Sequence, residues 1–87
     1  MIHDQIFLEL TKRVEPFVEN SHDVVRYEVN NLQRIGIRFS DSFISSLALR
    51  YVFSICKENS LHFYVSNTCC GFKRGDMFIV IYDPKEF

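Results

Sequence analysis

Apolar residues along this 87-residue chain recur with two periods, three to four in some segments and two in others. In the first eighteen residues Ile6, Leu10, Val14 and Phe17 keep helical spacing, and Phe7 and Val18 widen the stripe. The pattern predicts a first helix from about Asp4, with Asp4 and Glu9 early and Lys12 and Arg13 late, as the helix dipole favours. Pro16 has no backbone donor and disfavours helix at Glu15, so the helix ends or kinks near Val14. Glu19-Asn20-Ser21 then reads as a loop.

Alternation takes over from Asp23 to Val29, with Val25, Tyr27 and Val29 on one face and Val24, Arg26 and Glu28 on the other. Gln33 to Phe39 alternates again, Ile35, Ile37 and Phe39 facing away from Arg34, Gly36 and Arg38. Asn30-Asn31-Leu32 between them is the turn signal, because Asn tolerates positive φ, and it makes the pair of runs a hairpin. Ser40-Asp41-Ser42 offers a cap for a second helix from Phe43 to Lys57, closed by Asn59-Ser60. Its stripe is Ile44, Leu47, Ala48, Tyr51, Val52 and Ile55, and Phe43, Leu49 and Phe53 lie off it. Leu61 to Ser66 alternates as a third strand. Met77 to Tyr82 is a fourth, apolar on both faces, the mark of a central strand or one covered on both sides. The order α-β-β-α-β-β predicts a single α+β domain over residues 1–87, a four-stranded antiparallel sheet with both helices on one face.

Composition sharpens this. Hydrophobic residues make up 47% of the chain and nine residues are Phe. A chain of this length buries only about 60% of its unfolded surface, so disulfides, metal or association are the usual supports. Cys56, Cys69 and Cys70 cannot all pair within one chain, and a bond between the adjacent Cys69 and Cys70 is strained. The N-terminal MIHDQIFLEL has early acids and no small-residue cleavage site, so no secretory leader is read and a reducing cytoplasm is the expected compartment. No apolar run reaches the roughly 18 residues of a membrane span. With apolar residues all round the second helix and on both sides of the fourth strand, association with itself as a homodimer, or with a target, is expected.

The net charge is −1, but residues 1–32 carry −3, residues 33–75 carry +4 and the last twelve carry −2. A near-neutral total disfavours long nucleic acid held by charge alone, while the middle excess permits a local basic patch.

Three chemistries compete for the surface. Cys69 and Cys70 lie near Lys73 and Arg74, whose charge favours a thiolate able to act as nucleophile or redox switch. The spacing is not CxxC, and with His62 as the only nearby histidine there is no four-ligand metal set. His3, His22 and His62 are scattered, and no GxSxG, P-loop or GxGxxG occurs. No catalytic residue, metal site or small-molecule cofactor is expected. The second chemistry is a basic sheet face. If Val25, Ile35 and Phe63 face the helices, Arg26, Arg34, Arg38, His62 and Tyr64 share the opposite face with Glu28, and Lys73 and Arg74 extend it. Arginines beside an aromatic ring on an open sheet suit single-stranded RNA, with Arg34, Arg38, Lys73 and Arg74 on phosphate and Tyr64 stacking. The third is a protein-binding surface anchored by Phe43 and Phe53 on the second helix. Short, Phe-rich, motif-free chains are common among accessory and inhibitor proteins of phages and mobile elements. The expectation is a small non-catalytic protein of that kind, acting through protein–protein contacts.

Overall fold

The computed structural model describes residues 2–18, 23–39, 44–67 and 76–86. Two helices cover one face of a four-stranded antiparallel sheet, in the order α1 (Asp4–Val14), β1 (Val24–Val29), β2 (Leu32–Phe39), α2 (Ser46–Asn59), β3 (His62–Ser66) and β4 (Met77–Tyr82). The strands lie in the order β1-β2-β4-β3. The apolar β4 is therefore an inner strand, as its two-sided pattern predicts, and β1 and β3 form the edges.

Leu10 and Val14 of α1 are fully buried, and Ile6, Phe7, Phe17 and Val18 pack partly buried against the same core. The helix stops at Val14, and Pro16 is accommodated in a single 3₁₀ turn over Glu15–Phe17. Leu8 is left 66% exposed on the far side.

Asn30 and Asn31 have φ of 53° and 67°, so the hairpin closes on two left-handed residues, the turn whose twist matches paired strands. This turn sets Val29 opposite Leu32 and, counting outward, Arg26 opposite Ile35 and Val24 opposite Ile37. Directly opposed residues share a face. Val24, Arg26 and Glu28 therefore face the helices with Ile35 and Ile37, while Val25 and Tyr27 face away with Gly36 and Arg34. This reverses the phase that the hydrophobic pattern predicts for β1. Arg26 is accommodated because its guanidinium reaches past the core edge to α1. There it pairs with Asp4, donates to the Ile2 carbonyl at 2.9 Å and lies 5.6 Å from the Phe7 ring centroid.

The second helix begins at Ser46, three residues beyond the predicted start. Ser45 is its cap, with its hydroxyl accepting from the Leu47 N–H at 3.2 Å. The predicted cap residues and Phe43 lie outside the described residues. Ala48, Val52, Ile55 and Cys56 form the buried stripe with Leu49 packed beside it, while Leu47, which the sequence places on the stripe, is 46% exposed. The helix ends at Ser60 in the left-handed conformation, and the Leu61 N–H donates back to the Cys56 carbonyl at 2.9 Å. Buried Leu61 and Cys56 complete this Schellman closure with an apolar contact pair. The core between sheet and helices is built on Ile35, Ile37, Ile79 and Ile81 from the two inner strands.

Candidate functional site

The face of the sheet turned away from the helices carries the polar and aromatic chemistry. Register places Tyr27, Arg34, Tyr82 and His62 in one row across all four strands. The next row is Val25, Gly36, Val80 and Tyr64, and beyond it lie Arg38, Phe78 and Ser66. Val80 and Phe78, at the middle of the inner strand, are buried, so the rings and guanidinia around them form the rim of the face.

Arg34 and the rings of β3 and β4 form one cluster. The Arg34 guanidinium lies 5.6 Å from the Tyr82 ring centroid, and its Nη1 donates to the Tyr64 hydroxyl in a long bond of 3.5 Å. Tyr64 meets Tyr82 at 5.8 Å in a tilted pair, and His62 meets Tyr82 edge-on at 6.0 Å. Edge-on and tilted ring pairs of this kind contribute about 0.5–1.5 kcal/mol beyond burial, so the cluster is held in shape before anything binds. Tyr64 remains 42% exposed at its surface.

Arg38, one residue from the far end of the same strand, is engaged differently. Its Nε donates to Asp23 at 2.9 Å and its Nη1 to Asp76 at 3.0 Å. The hydrogen bonds it donates to Asp76 and then to Asp23 raise its pKa further above its ordinary value. The Asp23 side chain is only 4% exposed. Two carboxylates thus balance this charge and tie the starts of β1 and β4 to the end of β2.

The structure brings Arg34, Arg38, His62 and Tyr64 to one face, as the sequence predicts, and moves Arg26 and Glu28 to the other. It adds Tyr82 and Tyr27, which sequence reasoning left out. Phe53 is 57% exposed on α2, beside a groove of about 410 Å³ lined by Phe53, Cys56, Lys57, Leu61, His62 and Phe63. Phe43, Cys69, Cys70, Lys73 and Arg74 lie outside the described residues. Cys56 is a free thiol, buried as expected for a small core residue, and burial pushes its pKa up to about 11. At neutral pH it carries almost no thiolate and is inert. Among the described residues, no three His, Cys, Asp or Glu side chains gather as a metal site requires, and no helix is long and apolar enough to cross a membrane.

Compared with protein-family models, curated protein sequences and solved structures, the chain matches none. The chemistry of its own surface therefore carries the reading of function.

Proposed function

We propose that this chain is a non-catalytic binding protein that docks a protein partner at the exposed rim of the sheet face opposite the helices, as an accessory or inhibitory factor. The observation that carries this reading is the preformed cluster of Arg34, Tyr64, Tyr82 and His62. Tyr and Arg dominate protein-interface hot spots because they offer large contact area and directional donors at low entropic cost. Here the guanidinium is already oriented by two tyrosines, so little ordering remains to be done on binding.

A second reading, single-stranded RNA, is favoured by one feature of the same face. The rings of Tyr64, Tyr82 and His62 sit on adjacent strands of an antiparallel sheet backed by helices, a stacking platform of the kind that takes splayed bases. Charge weighs against it. Arg38 is balanced by Asp23 and Asp76, on a chain of net charge −1.

The test is affinity capture from nuclease-treated lysate of the source cells. Unmodified chain is compared with Arg34→Ala/Tyr64→Ala and with Phe43→Ala/Phe53→Ala, each first shown to fold. The expected result is a protein lost with the first pair and kept with the second. Loss only with the phenylalanines would move the site to α2. RNA in untreated material, lost with Arg34→Ala, would favour the RNA reading.

A further inference from the structure

The two edges of the sheet are guarded unequally. Exposed edges are templates for strand addition unless charges, prolines, bulges or a covering segment block them. On β1, Arg26 points inward and is held by Asp4 and the Ile2 carbonyl, and Glu28 is exposed. The residues of β3, His62-Phe63-Tyr64-Val65-Ser66, include no Asp, Glu, Lys, Arg, Pro or Gly. Its register with β4 runs without a bulge from His62 to Ser66, and no described strand pairs with its outer side.

The side chains near this edge are left uncovered on both faces. Tyr64 is 42% exposed on the open face and its neighbour Val65 is 45% exposed on the helix face. Phe53, 57% exposed, projects from α2 over the groove beside the start of β3. Adding one more strand would cover all three at once.

We propose that β3 pairs antiparallel with β3 of a second copy of this chain, joining two four-stranded sheets into one. The strand is self-complementary. With the twofold axis at Tyr64, Phe63 meets the second copy's Val65 on the helix face, beneath Phe53. His62 meets the second copy's Ser66 on the open face, and the two Tyr64 rings stand side by side. Apolar faces apolar and polar faces polar, as cross-strand pairing requires. The uncharged strand and the net charge of −1 leave little repulsion between copies. Covering the exposed parts of Phe53, Tyr64 and Val65 on both copies removes on the order of 500 Å² of side-chain surface, given the size of such side chains. With the strand backbones added, this reaches the low end of specific interfaces, which fits a reversible dimer. The dimer also brings the two Arg34–Tyr82 clusters onto one continuous sheet face. The pairing shares His62 and Tyr64 with the proposed docking face, but Val65 lies on the opposite face, so a variant at Val65 tests the pairing apart from that reading.

The test is sedimentation equilibrium of the full chain, alone and at physiological salt. The expected result is a monomer–dimer equilibrium with Kd on the order of 10 µM. Val65→Lys, on the helix face and outside the tyrosine–arginine cluster, should weaken it at least about tenfold by placing a charge at the seam. Val29→Lys, an equally exposed site on the β1 edge, should leave it unchanged. Hydrogen exchange of the unmodified chain decides the matter if Val65→Lys fails to fold: the amides of β3 should slow with rising concentration while those of β1 do not. A chain still monomeric at about 300 µM overturns the proposal, since a dimer of the expected affinity would then predominate. So does a dimer that Val29→Lys breaks and Val65→Lys spares, or concentration-dependent protection confined to β1.

Discussion

Arg34 and Tyr82 stand directly opposite each other on β2 and β4, with the guanidinium 5.6 Å from the ring centroid. A cation over a ring at a partly exposed site contributes about 0.5–1 kcal/mol. The ring contact's share of the stability lost in Arg34→Ala should therefore be about 1 kcal/mol, a shift of roughly 4–8 °C in Tm for a domain of this size. Partner capture should fall far more, since a central hot spot costs about 2 kcal/mol or more when truncated. Thermal unfolding and capture on the same samples separate the two effects. A large loss of stability with capture intact would make Arg34 a structural residue and remove it from the site.

Arg38 makes the opposite prediction. It holds the nearly buried Asp23 and also Asp76, so its removal strips two carboxylates of their guanidinium. Breaking a buried ion pair by deleting one partner costs about 3–5 kcal/mol. Because Arg38 is itself partly exposed, Arg38→Ala should cost about 2–3 kcal/mol, with partner capture following the folded fraction only. Urea unfolding of Arg38→Ala, Asp23→Asn and the double variant gives the coupling energy. A coupling near zero would show that the pair is solvated and contributes nothing.

The legible parts of this fold were those fixed by local chemistry. Pro16 ended the first helix, Asn30-Asn31 closed the hairpin, and two-sided apolarity put Met77–Tyr82 inside the sheet. Apolarity alone gives the wrong phase for β1, where turn length decides it. A two-residue turn pairs Val29 with Leu32, which already sends Arg26 to the face of Ile35 and Tyr27 to that of Arg34. The same counting places Asp23 level with Arg38. Tyr82 follows Phe78 and Val80 at period two, so its place on the open face was also readable once Arg34 was known to lie there. The start of α2 was not readable in this way. Several serines precede it, and only the contact between Ser45 and the Leu47 N–H selects one of them. Nor could periodicity show that Arg38 is balanced, because Asp76 lies 38 residues away.

Cys56 gives the chain a pH dependence at its alkaline end. Burial raises the folded-state thiol from its ordinary 9.0 to about 11. Between those values the unfolded chain has lost the proton and the folded chain retains it, so stability falls as pH rises. The contribution is fully present below pH 9.0 and is lost as pH climbs toward about 11, with a total on the order of 2 kcal/mol. Unfolding of the native chain and of Cys56→Ala from pH 8 to 11 should show a gap that narrows as pH rises. Parallel curves would mean that the thiol ionises in the folded state as easily as in water. Mass spectrometry should also find Cys56 unlabelled by a thiol reagent at pH 7.5 until the chain unfolds.

Ser60 joins α2 to β3 in the left-handed conformation, at φ 56° and ψ 38°, where a side chain is disfavoured and glycine is not. Removing its Cβ relieves local crowding, while the extra freedom of glycine in the unfolded chain takes back part of the gain. Ser60→Gly should therefore raise stability by about 0.5 kcal/mol, read as a higher urea midpoint at unchanged m value. Ser60→Val should do the reverse, losing about 1–2 kcal/mol, because a branched Cβ is least tolerated there. The two variants also probe how the closure is wired. The Leu61 N–H reaches the Cys56 carbonyl only if residue 60 turns left-handed, and Leu61 and Cys56 both line the groove beside Phe53. Ser60→Val should then disturb β3 amides and the Phe53 side chain in nuclear magnetic resonance spectra, whereas Ser60→Gly should leave them in place. If both variants matched the native chain in stability and spectra, the turn would be adapting to either residue, and the cap would not be what fixes the angle between α2 and the β3 edge.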